Sequence, residues 1–180
     1  GFVSVLDLEA EPHPKEIFYR HVGKASITAL AISDEPAVLI AVPAGRIPVE
    51  FSLDTQKQCL CLKRDLAHEQ NWDCYAVALS ADAQHTAFGG NGGTVYLKDF
   101  LHGHARAFRT GLELIRQLVF LPDKSRLIAV GPKSIEFWSI RPTQLCYRWD
   151  SPHGRILSIR NFEIEREDTW SYQLFIALEE

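Results

Sequence analysis

No stretch of the 180 residues approaches the roughly 18 consecutive apolar positions of a membrane-spanning helix. The N-terminus also has no basic segment running into an apolar one and a cleavage site. These absences point to a soluble, intracellular protein, cytoplasmic or nuclear. Methionine is missing altogether, and Gly1 opens what reads as the middle of a strand, the pattern expected of an internal piece of a longer protein. The four cysteines, Cys59, Cys61, Cys74 and Cys146, show no C-x-x-C spacing, and Cys59 and Cys61 point to one face of one strand, a poor start for bridging each other. Buried or half-buried free thiols are expected, with no zinc. A large charge of either sign is absent too: 19 Lys and Arg against 23 Asp and Glu leave a net charge of -4, with the basic residues spread along the chain. That balance disfavours a nucleic-acid binder. Helical periodicity is almost missing, although 46% hydrophobic and 11% aromatic residues are ample for a folded core.

What is present is a series of short apolar runs rich in Val, Ile, Leu, Phe and Tyr, separated by Gly, Pro and Asp, which is an all-β pattern. The runs repeat. FVSVLDL (2–8), VEFSLDT (49–55), TVYLKDF (94–100) and SIEFWSI (134–140) share a shape, and aligning Asp7, Leu53, Asp99 and Ser139 gives steps of about 46, 46 and 40 residues. A four-stranded propeller blade repeats at about 40–45 residues. Three further sets recur in phase. ITALAISD, CYAVALSAD, IRQLVFLPD and ILSIRNF form a first strand, a; AVLIAV, HTAFGG, RLIAVG and YQLFIAL form a second, b. The four segments above are then c, and EIFYR, QCLCLKR, ARAFR and QLCYRW, mixing charged and apolar residues, form an exposed outer strand d.

Three a strands are preceded by His21, His68 and His153, Leu121-Pro122-Asp123 follows another, Gly89-Gly90-Asn91-Gly92-Gly93-Thr94 links b to c, and c ends on Leu6-Asp7, Lys98-Asp99 or Trp138-Ser139. In these features the chain resembles the WD-repeat β-propeller family. The resemblance covers nearly the whole chain, but each motif is worn. The family's blade is locked by a hydrogen-bonded His, Ser/Thr, Asp and Trp; here the corresponding positions of the best repeat hold His68, Phe88, Gly92 and Lys98. Stability is therefore expected to lean on apolar packing between neighbouring blades rather than on that lock. The expected fold is an all-β propeller of WD-repeat type with four-stranded antiparallel blades, as an incomplete ring of about four blades. It divides into a half blade (1–20), blades at about 21–66, 67–110 and 111–151, and a half blade (152–180). A β-sandwich with a similar strand count is the alternative.

Chemistry-bearing motifs are few. The glycines of GGNGG lead into an alternating strand rather than a helix, and no Lys-Ser/Thr follows, so they read as a b–c hairpin turn and not as a phosphate loop. His102-Gly103-His104 has the look of a metal pair, but with no cysteine and one nearby acid, Asp99, it reads as a solvated turn. Glu163, Glu165, Glu167 and Asp168 in NFEIEREDTWSY read as a solvated, flexible a–b loop. No nucleophile–base set is evident, so the chain is expected not to be an enzyme and to need no cofactor, metal or small-molecule substrate.

In the resembled family the d–a and b–c connections meet on one rim, the usual partner-binding face. Here they supply Lys24, Asn71, Trp72, Arg116 and Arg155 from d–a, and Arg46, Asn91 and Lys133 from b–c. Trp72 is either a plug between blades or an exposed anchor; Trp and Arg are the residues that most often carry binding energy. His21, His68, His153, Asp7, Asp99 and Trp138 are the repeat markers. The expected function is a non-catalytic scaffold for protein partners inside a larger protein or complex, with an acidic or phosphate-bearing partner favoured by the arginines. The alternative is a recognition or sensor propeller attached to an enzymatic or nucleotide-driven domain elsewhere in the full chain.

Overall fold

The structure, a computed structural model, describes residues 1–7, 13, 15–33, 37–54, 59–65, 73–166 and 169–179. They contain sixteen strands: β1 (Phe2–Asp7), β2 (Lys15–His21), β3 (Ile27–Ser33), β4 (Val38–Pro43), β5 (Val49–Asp54), β6 (Cys59–Asp65), β7 (Cys74–Leu79), β8 (His85–Gly90), β9 (Thr94–Asp99), β10 (Ala105–Arg109), β11 (Gln117–Phe120), β12 (Arg126–Val130), β13 (Ser134–Ile140), β14 (Thr143–Asp150), β15 (Arg155–Arg166) and β16 (Thr169–Glu179). Every pairing is antiparallel and between chain neighbours, giving sheets β1-β2, β3-β4-β5-β6, β7-β8-β9-β10, β11-β12-β13-β14 and β15-β16. Meandering four-stranded sheets in succession are blades, and they rule out the two facing sheets of a sandwich.

The core lies between the sheets. Because successive strand residues face opposite ways, a second strand buried on both faces serves two interfaces at once. All six residues of β4 are buried. Its Leu39 and Ala41 pack with Val3 of β1 and Phe51 of β5, while Val38, Ile40 and Val42 pack against Cys74, Val77 and Phe88 of the next sheet. β12 does the same: Leu127 and Ala129 join Ala87, Val95 and Leu97 behind them, and Ile128 and Val130 join Ile156 and Ile159 ahead. Phe88, fully buried, contributes about 1.5–3 kcal/mol by removal from water. The outer strands β10 and β14 are mostly exposed, which is why their sequences mix charges with apolar residues.

Two expectations need correction. The acidic stretch 161–172 is not a loop: β15 and β16 form a long hairpin in which Glu163 faces Tyr172 and Glu165 faces Trp170 in register, with Glu167 and Asp168 outside the described residues. Apolar–charged alternation in FEIE is strand periodicity, and it outweighs the density of charge. The cysteines are not all buried: Cys74 is, and burial raises its thiol to about 11 against two backbone hydrogen bonds that lower it, but Cys146 is exposed on outer strand β14. The side chains of Cys59 and Cys61 lie outside the described set.

The GGNGG stretch forms the β8–β9 turn, where Gly92 (φ 77°) and Gly93 (φ 67°) adopt left-handed conformations. Gly93 also admits the neighbouring connection: a Cβ there would lie 1.7 Å from the Leu112 carbonyl oxygen. Its own carbonyl accepts hydrogen bonds from the Thr110 amide (2.8 Å) and hydroxyl (2.7 Å).

Candidate functional site

Hydrogen bonds between backbones tie the d–a and b–c connections into one rim. Ala44 N–H donates to Ser26 C=O, Asn91 N–H to Asp73 C=O, Gly92 N–H to Glu113 C=O, Ser151 N–H to Lys133 C=O and Ile156 N–H to Pro132 C=O. The turns therefore brace each other, and the side chains they carry stand on a backbone with few loose ends. Lys24, Arg46, Asn91, Lys133 and Arg155 are exposed on these connections. Asn91 donates to Asp73 at 3.2 Å, and Arg155 lies 4.0 Å from Glu179. Arg116 is half-buried, and its guanidinium donates to the Ile156 carbonyl at 3.5 Å. Ile47, beside Arg46, is an exposed apolar residue that the sequence reading passed over. His68, Asn71 and Trp72 lie outside the described residues.

The repeat markers occupy several environments. His21 is the last residue of β2, exposed, with its ring 4.8 Å from that of Phe2, and His153 is exposed in the bend before β15. Asp7 closes β1, with its side chain outside the described set. Trp138 packs between sheets on Phe108 at a ring separation of 4.7 Å and donates its indole N–H to Glu136 at 3.0 Å.

Glu136 is the centre of a polar lock that the repeat motifs do not include. It is 1% exposed on β13. Its carboxylate accepts the Gly111 N–H (3.0 and 3.2 Å), the Trp138 indole N–H and the Arg148 guanidinium (3.2 Å). Arg148, on β14 opposite Glu136, also donates to the Gly111 carbonyl (3.4 Å), the Ser134 hydroxyl (3.1 Å) and Asp150 (3.0 Å). Strand c thus clamps the connection that enters its own blade. Gly111 suits this clamp, because a Cβ there would sit 2.6 Å from the Arg148 guanidinium and 2.7 Å from the Glu136 carboxylate and would push these side-chain ends aside. The apolar clusters between sheets agree with the expected packing, and beside them this blade has a buried carboxylate network that the repeat motifs did not indicate. Glu50, also 1% exposed, occupies the equivalent place on β5 and faces Arg64 in register.

The a–b and c–d turns form the opposite rim. In the first sheet-to-sheet contact there, Asp82 accepts the Ser80 hydroxyl (2.6 Å) and the Gln84 N–H (3.1 Å) and pairs with Lys124 of the next a–b turn at 3.0 Å. Burial would raise its pKa, but these donors bring it down to about 2. Nearby, Asp99 ends β9 and caps the turn, accepting the Leu101 and His102 amides at 3.0 Å through one oxygen. The other oxygen meets the His102 imidazole (3.0 Å), the guanidinium of Arg141 and, at 3.6 Å, His85. Against burial, the His102 donors and charges hold Asp99 far below the usual carboxylate range. Burial depresses His85, with Arg141 adding to the effect and Asp99 opposing it. His102 and His104 stack with ring centroids 6.4 Å apart, and among the described residues no group of three His, Cys, Asp or Glu is placed to hold a metal.

No protein-family model matches the sequence, and no curated protein does. The fold does have solved counterparts. A structure described as the crystal structure of RRP9 WD40 repeats superposes with a TM-score of 0.63 at 12% identity, over 77% of this chain and 43% of that one. The chain thus spans less than half the length of that structure. At such identity the likeness speaks for architecture, and with the meandering four-stranded sheets it shows that the chain has the β-propeller fold of the WD-repeat type.

Proposed function

We propose that this chain is a non-catalytic scaffold, a section of a WD-repeat propeller that binds protein partners within a larger protein or complex. The observation that carries this reading is the rim of d–a and b–c connections, where Lys24, Arg46, Asn91, Lys133 and Arg155 stand exposed on mutually hydrogen-bonded turns. Such a surface is ordered before it meets a partner, so little entropy is lost on docking. Arg46 with exposed Ile47 supplies the charged and apolar contacts typical of interface anchors, and Arg116, with Asn71 and Trp72 from outside the described residues, belongs to the same rim by place in the chain. The excess of basic side chains there favours an acidic partner, and the net charge of -4 over the whole chain supports a protein rather than a nucleic acid. A non-enzymatic role is supported by the main titratable cluster, since both Asp99 oxygens already accept hydrogen bonds and its carboxyl is held ionised. The test is a pull-down comparing wild type with an Arg46→Ala/Lys133→Ala/Arg155→Ala variant of unchanged circular dichroism. Partners lost in the variant are expected; an unchanged set of partners would refute the assignment.

A further inference from the structure

On the rim opposite the proposed partner face, a cleft of about 410 Å³ opens between the second and third four-stranded sheets, lined by His85, Leu97, Asp99, His102, His104, Arg106 and Arg141. Two guanidinium groups and three imidazoles line it, and of these Arg141, His102 and His85 approach the Asp99 carboxylate. That carboxylate has no capacity left for a cation, because one oxygen takes two backbone N–H groups and the other takes His102 and Arg141. Its role in the cleft is to hold donors in place.

Several donors remain. Arg106 donates one amino group to the Ile140 carbonyl, leaving its other N–H groups without a partner among the described residues. His104 is exposed and makes no side-chain hydrogen bond there, and His102 has its second ring nitrogen open. His85 is 7% exposed, and its Nε2 lies 3.0 Å from the Arg141 guanidinium and so accepts from it, which fixes Arg141 at the cleft wall.

A donor-rich cleft with its one acid already engaged takes an anion. More than two groups face the cleft from different sides, which suits the three terminal oxygens of a phosphomonoester better than the two of a carboxylate. Leu97 is the one apolar lining residue and no aromatic face other than imidazole is offered, so a nucleobase has nothing broad to stack on. We propose that this cleft binds the phosphate of a phosphorylated side chain in a partner polypeptide. The cleft opens at turns of the rim, where an extended segment passes from one sheet to the next with its phosphate directed inward.

The test uses a fluorescein-labelled Gly-Ser peptide carrying one phosphoserine, titrated by anisotropy, beside the unphosphorylated peptide, the same peptide with Asp at that position, and inorganic phosphate. The phosphopeptide is expected to bind at least about tenfold more tightly than the other three. Arg106→Gln and His104→Gln should each weaken it several-fold with the fold retained by circular dichroism, and Arg106→Lys should recover part of the loss. The Arg46→Ala/Lys133→Ala/Arg155→Ala variant should bind it as wild type does, which separates this cleft from the opposite rim. Equal binding of the Asp peptide or of inorganic phosphate, or a loss seen only in the triple variant, would overturn the proposal.

Discussion

Replacing Glu136 by alanine removes the acceptor for three donors at once. The Gly111 N–H and the Trp138 indole N–H lose their partner inside the structure, and Arg148 loses the buried half of its ion pair. A hydrogen bond to a charged group is worth about 1.5–3 kcal/mol, and breaking a buried pair from one side costs about 3–5 kcal/mol. Arg148 is 39% exposed at the side chain and keeps Asp150 and Ser134, so water compensates much of its share. The expected loss is about 3 kcal/mol, or roughly 6–12 °C in midpoint for a chain of this size. Glu136→Gln keeps an acceptor for Gly111 and should cost about half as much. Urea denaturation of wild type, Glu136→Ala, Arg148→Ala and the double variant gives both the loss and the coupling. A loss below about 1 kcal/mol for Glu136→Ala, or additive single variants, would refute the lock.

Glycine placement gives a paired comparison. Gly92→Ala meets open space and should cost only the left-handed strain of about 1–2 kcal/mol, whereas Gly93→Ala drives a Cβ into the Leu112 carbonyl and should cost several times more or prevent folding; urea midpoints rank the two. Thiol mapping by mass spectrometry at mildly alkaline pH should label Cys146 at once and Cys74 only on unfolding, since the buried thiol is raised to about 11. Asp82, lowered to about 2 from an ordinary 3.8, stabilises the fold above the unfolded value and loses that contribution as pH falls from about 4 towards 2. Asp82→Asn should therefore flatten the fall of the urea midpoint across that window, and an unchanged slope would show that Asp82 is not paired as described.

The strand plan could be read from the chain because propeller strands are short, alternate, and recur at a fixed spacing; VEFSLD, TVYLKD and SIEFWSI each became the third strand of a four-stranded sheet, and FVSVLD the first strand of the two-stranded sheet β1-β2. The β15–β16 hairpin was missed because four acids in six residues suggested a solvated loop, although Phe162 and Ile164 alternate with them. Glu136 was missed for another reason. A lone Glu in a strand looks exposed until its partners are known, and those come from Gly111 and Arg148, distant in sequence. A signal did exist: Glu50 and Glu136 sit at the same place in two repeats, each opposite an arginine. The His85–Asp99–Arg141 contact joins two sheets across 42 and 56 residues, a proximity that no local pattern encodes.

Hydrogen exchange on the protein with and without a partner captured by pull-down bears most directly on the idea that function is carried by the turn-built rims. Slowed exchange is predicted at residues 44–48, 91–93 and 131–133, in the b–c turns that carry Arg46, Asn91 and Lys133. Protection confined to the outer strands β10 and β14, with these turns exchanging as in the free protein, would contradict it.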